Sequence, residues 1–396
     1  MESSFRERCD ILELFNEGKS TEGFLCVSAP MVRYSKLEFR RLLRKHGVQL
    51  RFTPMIIADS FTRSEKARQN EFTTAGDDIP VIAQFAAKDA KEFVNAAQLV
   101  YPYVDGVDLN CGCPQSWAIS KGYGCGLLKN PELVKDMIST ARRTLSEKLS
   151  VSVKIRLLQH ASSKTTVEFA RQLEMCGATF LSLHGRTMWQ KTSEPLNVEA
   201  IRDVKDALNI PLIANGSVKS WDEACTLHNQ TGADGIMVAR ALLSNPSLFN
   251  PKYYNSAITP MECIQDWLDI AVQAGDNLQF LTFHHHLTFM WGPHLKRKQR
   301  LEFNSLTTKE EIFNFFEDNY NLKPNTQFIE ESYPPYVNCT YDHVQPEILD
   351  INNAEDTTTS SSSWNSNTNG KFFNEFSEEL NADDDCDLGS SFFAEM

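Results

Sequence analysis

Two cysteines stand one residue apart in LNCGCPQSWA, residues 109–118, and a proline directly follows the second. Thiols at this spacing could hold metal, bridge, react or fill space. Zinc could draw on Cys111, Cys113 and Cys125, but C-x-C with a distant third cysteine is not the usual C-x₂₋₄-C pairing, and no histidine adjoins it. His284, His285 and His286 also invite a metal, yet consecutive residues on a helix point apart. No metal is therefore expected. A Cys111–Cys113 disulfide would close a strained small ring. Cys111, ahead of Gly112, suits packing in a wall, whereas Cys113 sits in a turn held by Pro114.

Other reactive side chains close apolar runs. Lys154 lies inside VSVKIRL, where an unpaired ammonium is costly to bury. It either bridges to a carboxylate such as Asp108 or faces negative charge on a ligand. His184 carries the same ambiguity between core and ligand. Asn215-Gly216-Ser217 and Ala239-Arg240 end the last two runs. A glycine lets backbone N–H groups approach an anion, and arginine offers a two-pronged donor. A phosphorylated ligand is expected there, and Lys154 with His184 beside it fits one that becomes anionic, such as a reduced flavin ring.

Eight runs position these groups: FLCVSAP, LRFTPMII, IPVIAQFA, VDGVDLN, SVSVKIRL, TFLSLHG, PLIANG and GIMVARA. Most are continuous in Val, Ile and Leu, as strands buried on both faces of a parallel sheet are. Helical stretches separate them, among them KLEFRRLLRKHG and NPELVKDMISTARRTL; the connection ADSFTRSEKARQNEFTTAGDD is more polar and a poorer helix. The alternation predicts an α/β fold, a (β/α)₈ TIM barrel, in preference to an open doubly wound sheet. Polar residues gather at the C-terminal ends of nearly all the runs, and in a barrel those ends form one mouth. The loops after the seventh and eighth strands commonly bind phosphate.

The expected organisation is a lead-in at 1–23, the barrel at 24–250, a helical domain at 251–322 and a disordered acidic tail at 323–396 rich in Ser, Thr, Asn and Asp. The tail's aromatic pieces, KFFNEF and SSFFAEM, could dock weakly or stay solvated. The net charge of −13 resides past Asn321, where 15 acidic residues face 2 basic ones, leaving the first 320 balanced. An anionic partner for the body is thus not excluded. No apolar run reaches the length of a membrane span. The first residues lack a signal-peptide pattern, and ten scattered cysteines suit a reducing compartment. The expectation is a monomer without membrane contact, in the cytoplasm or also in the nucleus.

In the order SAPM, QFAA, LNCGCPQ, KGYGCGLL, VSVKIRL, LHGRT, IANGSV and GIMVAR, the chain resembles the tRNA-dihydrouridine synthases over about residues 24–320. LNCGCPQSWAISKGYG and FNSLTTKEEI resemble the eukaryotic type-four branch, which implies uridines 20a and 20b of the tRNA D-loop. The resemblance implies FMN contacts at Pro30, Met31, Val32, Gln84, Lys154, His184, Asn215, Gly216, Ser217, Ala239 and Arg240, with Asn110 at the flavin face. Ser217 stands where many members carry Asp, and Ala239 where many carry Gly. NADPH or NADH is the implied reductant. Reduction of the uracil double bond needs hydride on one carbon and a proton on the other. By motif position the acid matches Cys113, a role suited to a thiol that is protonated at neutrality yet releases its proton readily. Lys121 and Arg186 are candidates for substrate contact, as are Lys296, Arg297, Lys298 and Arg300 in PHLKRKQRLEF, which would hold tRNA phosphates. The basic run FRRLLRKHG, with Arg40, Arg41, Arg44 and Lys45, reads as a solvated face. Two other functions compete: an FMN-dependent reductase of a free pyrimidine, and a non-catalytic RNA-binding protein on a degenerate barrel.

Overall fold

The computed structural model describes residues 7–325 and Cys339. Apart from Lys323, Pro324, Asn325 and Cys339, the expected acidic tail lies outside the described residues. Contacts divide the chain into two units, Met1–Gln190 with Pro195–Val344, and Lys191–Glu194 with Gln345–Met396. Of the second, only 191–194 are described, a turn in which the Glu194 carboxylate accepts from the Lys191 N–H at 2.7 Å.

In the first unit, nine parallel strands share one sheet among the described residues. They are β1 (Leu25–Ser28), β2 (Arg51–Phe52), β3 (Ile56–Ile57), β4 (Val81–Ala86), β5 (Gly106–Cys111), β6 (Ser150–Arg156), β7 (Phe180–His184), β8 (Leu212–Asn215) and β9 (Gly235–Val238). The order is β1-β9-β8-β7-β6-β5-β4-β2, with β3 also on β4. The ends meet: Gln49 and Leu50 donate to the Cys26 carbonyl, and Ser28 donates to the Leu50 carbonyl. Strands β2 and β3 pair with opposite halves of β4, so they are one barrel stave interrupted at Thr53-Pro54-Met55. Pro54 has no N–H for the ladder, and the Thr53 hydroxyl takes up the Gln84 N–H at 3.1 Å. Eight staves with helices between them make the (β/α)₈ TIM barrel. Every strand falls on one of the eight apolar runs, with β5 reaching one residue beyond its run to Cys111.

Side chains alternate across each strand. Inward positions near the strand starts, Leu25, Val27, Phe52, Ile82, Phe180, Ile213 and Met237, form one apolar cluster with Ile11, Leu14 and Phe15. Those last three lie on the helix Ile11–Thr21, capped by Asp10. The lead-in is thus a plug for the N-terminal end of the barrel, and each large side chain buried there contributes about 1.5–3 kcal/mol. Two residues further along each strand the inward face turns polar, at Gln84, Asp108, Asn110, Ser152, Lys154, Ser182, His184 and Asn215. Register places Gln84 beside Asp108, Asp108 beside Ser152, and Asn110 beside Lys154.

The larger core fills the layer between strands and outer helices. The helix Pro131–Thr144 shows why. Asn130 caps it, proline opens it, and Val134, Met137, Ile138 and Ala141 bury one stripe.

Among the described residues, four α-helices follow the barrel, Met261–Ala274, Phe280–Met290, Arg297–Asn304 and Lys309–Tyr320. The third, in the basic segment, has little apolar periodicity and does not stand out in the sequence; only Phe303 is buried on it. The three histidines diverge. His284 Nε2 meets the Phe303 carbonyl at 3.1 Å, while His286 is buried and stacks on Phe39 with ring centroids 4.2 Å apart. Among the described residues, no three His, Cys, Asp or Glu side chains gather as a metal site, and no helix is long and apolar enough to cross a membrane.

The basic run FRRLLRKHG departs from expectation. It forms the helix Leu37–Lys45, but Arg40 is buried on Asp78 and Arg41 is bound to Asp77. Arg44 donates to the Asp77 carbonyl. Lys45 and His46 grip the two oxygens of Asp266, at 2.6 and 2.9 Å, in the helix Met261–Ala274. Arg40 and Arg41 are thus buried ion-paired groups joining structural layers, and only Arg44 and Lys45 of the run remain exposed.

Candidate active site

The polar inward residues converge at the C-terminal mouth, and a chain of hydrogen bonds orders them. The Asp108 carboxylate accepts from Ser152 Oγ at 2.7 Å and from Gln84 Nε2 at 2.8 Å. A carboxylate only accepts, so Gln84 must turn its amide oxygen away. That oxygen accepts from Asn110 Nδ2 at 2.8 Å. Asn110 Oδ1 is then left to accept from the N–H groups of Gly112 and Cys113, at 3.1 and 2.9 Å. A buried carboxylate three hydrogen bonds away thereby fixes the turn that carries Cys113.

The same turn is braced twice more. Gly124, at φ +57°, packs against it so closely that a Cβ would lie 2.6 Å from the Cys113 carbonyl. Cys125 donates its N–H to that carbonyl at 2.9 Å. The Cys113 side chain is half-buried in an apolar patch with Val32, Met55, Ala86, Trp117, Ala118 and Tyr123. Burial raises its thiol pKa, against the Gln115 backbone and the charges of Arg156 and Lys154, which pull it down. Cys113 is therefore a thiol at neutrality. Cys111 is fully buried in the outer core and its thiol is pushed well up by burial, so it fills space. All the described cysteines are free.

Opposite charge comes from cations. Lys154 Nζ donates to Asn215 Oδ1 at 3.0 Å, and Asn215 Nδ2 donates to the Met237 carbonyl at 2.9 Å. Lys154 does not hydrogen-bond Asp108, whose oxygens accept from Ser152 and Gln84, so of the two alternatives the barrel-lining bridge gives way to an amide contact. Burial and the neighbouring Arg156 lower the Lys154 pKa to about 8, against the pull of Asp108. Burial also lowers His184 well below its ordinary value, helped by Arg156, Lys154, Arg186 and Arg240. His184 is thus a neutral ring and not one of the positive groups. Its buried Nδ1 has no partner among the described residues. Gly216 and Ser217 both have left-handed φ, +135° and +58°. A Cβ on Gly216 would lie 3.4 Å from His184 Nε2 and 2.4 Å from Leu196. Arg186 donates to Ser217 Oγ.

Four cations around an unpaired imidazole and a bare backbone turn call for an anion. Lys154, Asn215, Gly216, Ser217 and Arg240 could hold a phosphate and an electron-rich ring, as in FMN. Ala239, at the end of β9, borders both apolar clusters. Met31 is nearly buried, and its N–H donates to Ser35 Oγ at 2.9 Å; Pro30 is half-buried beside it. Lys121 is exposed at the end of the short helix Ser116–Ser120. Lys296, Arg297 and Lys298 are exposed and Arg300 half-exposed on the post-barrel helix.

Two contributors were given too little weight in the sequence, Arg156 standing there only as a polar residue at the end of the fifth strand. Asp108 entered only as a partner for Lys154, yet a carboxylate on the inward face of a strand was itself a signal. Arg156, one stagger past Lys154, bridges two loops: its Nε donates to the Gly112 carbonyl at 2.8 Å and its Nη1 to the Thr187 carbonyl at 3.1 Å.

The model of the family described as Dihydrouridine synthase (Dus) matches residues 27–311. The chain is 44% identical over 312 residues to a Mus musculus protein named tRNA-dihydrouridine(20a/20b) synthase (NAD(P)+)-like, covering 78% of this chain and 92% of that one. A Homo sapiens protein of the same name is 42% identical over 314 residues, covering 79% and 95%. The Schizosaccharomyces pombe tRNA-dihydrouridine(20a/20b) synthase is 39% identical over 301 residues, covering 76% and 88%. With the barrel and its mouth in place, these matches establish that the chain belongs to the dihydrouridine synthase family.

Proposed function

We propose that the protein reduces uridines 20a and 20b of the tRNA D-loop to dihydrouridine, using FMN and NAD(P)H. The names of its relatives support the substrate, and the mouth supports the chemistry. The observation that carries the reading is Cys113, a protonated thiol in an apolar patch, held by Asn110 on the rim of a cationic mouth.

FMN, when bound and reduced, supplies hydride to one carbon of the uracil double bond. Lys154, Asn215, Gly216, Ser217 and Arg240 would hold it, with His184 offering its unpaired ring nitrogen. Cys113 donates the proton to the other carbon from Sγ. Arg156 and Lys154 stabilise the thiolate that remains, which then recovers a proton from water. The apolar wall of Val32, Met55, Ala86 and Ala118 keeps water from competing with the base.

The target base must leave its stack to reach the mouth, at a cost of a few kcal/mol that is smallest in loops. The exposed Lys296, Arg297 and Lys298 support a role in holding the backbone. They crowd the start of the helix Arg297–Asn304, whose first turn has no acidic residue. Cations there oppose the helix dipole, an arrangement that a bound phosphate would relieve.

Mapping dihydrouridine in tRNA from cells lacking the protein tests the reading. Loss at 20a and 20b, restored by purified protein with FMN and NADPH, is the expected result. Intact dihydrouridine there, together with reduction of free pyrimidines, would favour the small-molecule reductase instead.

A further inference from the structure

Trp189 is 82% exposed, and among the large apolar side chains exposed in the described residues it alone is aromatic. Water is a poor surrounding for an indole, which has far more to gain from burial than a smaller side chain. Its position is constrained. It lies in the turn after β7, whose root is tied at both ends. The Thr187 N–H donates to Gln190 Oε1 at 2.9 Å, and the Thr187 carbonyl accepts from Arg156. The same guanidinium holds the Gly112 carbonyl, next to Cys113. One side chain therefore braces the loop that carries the proposed acid and the loop that displays the indole. The ring is presented at the rim of the mouth and is not swallowed by it.

We propose that Trp189 is a stacking platform for an unstacked RNA base beside the uridine that enters the mouth. The proposal rests on the reading of the chain as a tRNA-modifying enzyme. A nucleotide turned out of its stack leaves its neighbours with an open π-face, and a rim indole covers such a face whatever the base. Cations at the mouth bring the phosphates near, while a flat apolar ring accounts for what charge does not: contact with the base itself. The platform acts on binding and not on the proton or hydride steps, because no hydrogen bond joins Trp189 to Cys113 among the described residues.

The test compares the FMN-loaded enzyme with Trp189→Ala, Trp189→Leu and Trp189→Tyr, using an unmodified tRNA transcript as the probe. Base–aromatic stacking corresponds to a loss of about 5- to 150-fold in affinity on truncation. Ala and Leu should weaken tRNA binding and raise KM by that factor, with kcat and flavin reduction by NADPH within about twofold of wild type. Tyr should retain most of the affinity. Unchanged binding in the Ala variant, or Leu binding as well as Tyr, would overturn the platform. So would a loss of thermal stability without loss of affinity, which would mean that the chain itself covers the ring. If the wild-type enzyme neither binds nor reduces the transcript, the underlying functional reading fails, an outcome distinct from an inert Trp189.

Discussion

The hydrogen-bond relay from Asp108 to Cys113 makes a prediction with two opposite signs. Burial raises the Asp108 pKa from 3.8 to about 6, against the hydrogen bonds of Gln84 and Ser152 and the charge of Lys154. The folded protein thus holds this proton more tightly than the unfolded chain does. The group's stability cost is absent below about pH 4, grows as pH rises to about 6, and then stays constant. A shift of roughly two units corresponds to about 3 kcal/mol at neutrality. Asp108→Asn removes that cost, and its amide can keep accepting from Gln84 if Ser152 turns to accept from the new NH₂ and donates to the Val107 carbonyl, 3.5 Å away. This variant should be more stable at pH 7 than wild type, by up to about 3 kcal/mol, and should keep the tRNA reaction within about fivefold. Asp108→Ala instead orphans the buried Gln84 amide, a penalty of about 1–3 kcal/mol that also frees Gln84 and Asn110 to turn over. The Cys113 turn then loses its anchor, and the step that needs Cys113 should slow by about 5- to 150-fold. Thermal melts at pH 5 and pH 7 read the first effect. Anaerobic stopped-flow reads the second, comparing flavin reoxidation by tRNA with flavin reduction by NADPH, which should not change. If the folded Ala variant reoxidises with tRNA at the wild-type rate, the relay does not position Cys113. If Asn is as damaged as Ala, the charge matters and the geometry does not.

Two further outcomes concern ligands. Lys154 loses its proton near pH 8 because of burial and Arg156, so FMN affinity of the apoprotein should be flat from pH 7 to 8 and fall about tenfold per unit above it; titrations with Lys154→Met should lack that limb, and a limb that survives belongs to another group. Replacing Lys296, Arg297, Lys298 and Arg300 with Glu should weaken tRNA binding and reduce its dependence on log salt by about 0.7–0.9 for each phosphate the protein no longer neutralises; a salt slope equal to wild type would remove this helix from the interface.

The barrel was legible because its strands are buried on both faces and read as unbroken apolar runs. The interruption at Pro54 was visible as a residue but not as a stave in two halves, since that depends on pairing with β4. The plug helix Ile11–Thr21 escaped notice: its apolar face is short, and it has meaning only against the barrel floor. The helix Arg297–Asn304 escaped because it buries little beyond Phe303. FRRLLRKHG misled for a different reason. Its carboxylate partners Asp77 and Asp78 arrive from a loop more than thirty residues away, and local charge pattern cannot reveal a long-range ion pair. At the mouth, the polar residues could be picked out as strand ends. Their order was not legible: that Asp108 reaches Cys113 through two amides, or that Arg156 holds two loops, follows only from register.

The assignment of Cys113 as the proton donor is the central claim, and the Cys113→Ala variant tests it most directly. The account predicts a protein that binds FMN and oxidises NADPH as wild type does but yields no dihydrouridine from a tRNA transcript. Dihydrouridine formed at the wild-type rate by that variant would contradict it.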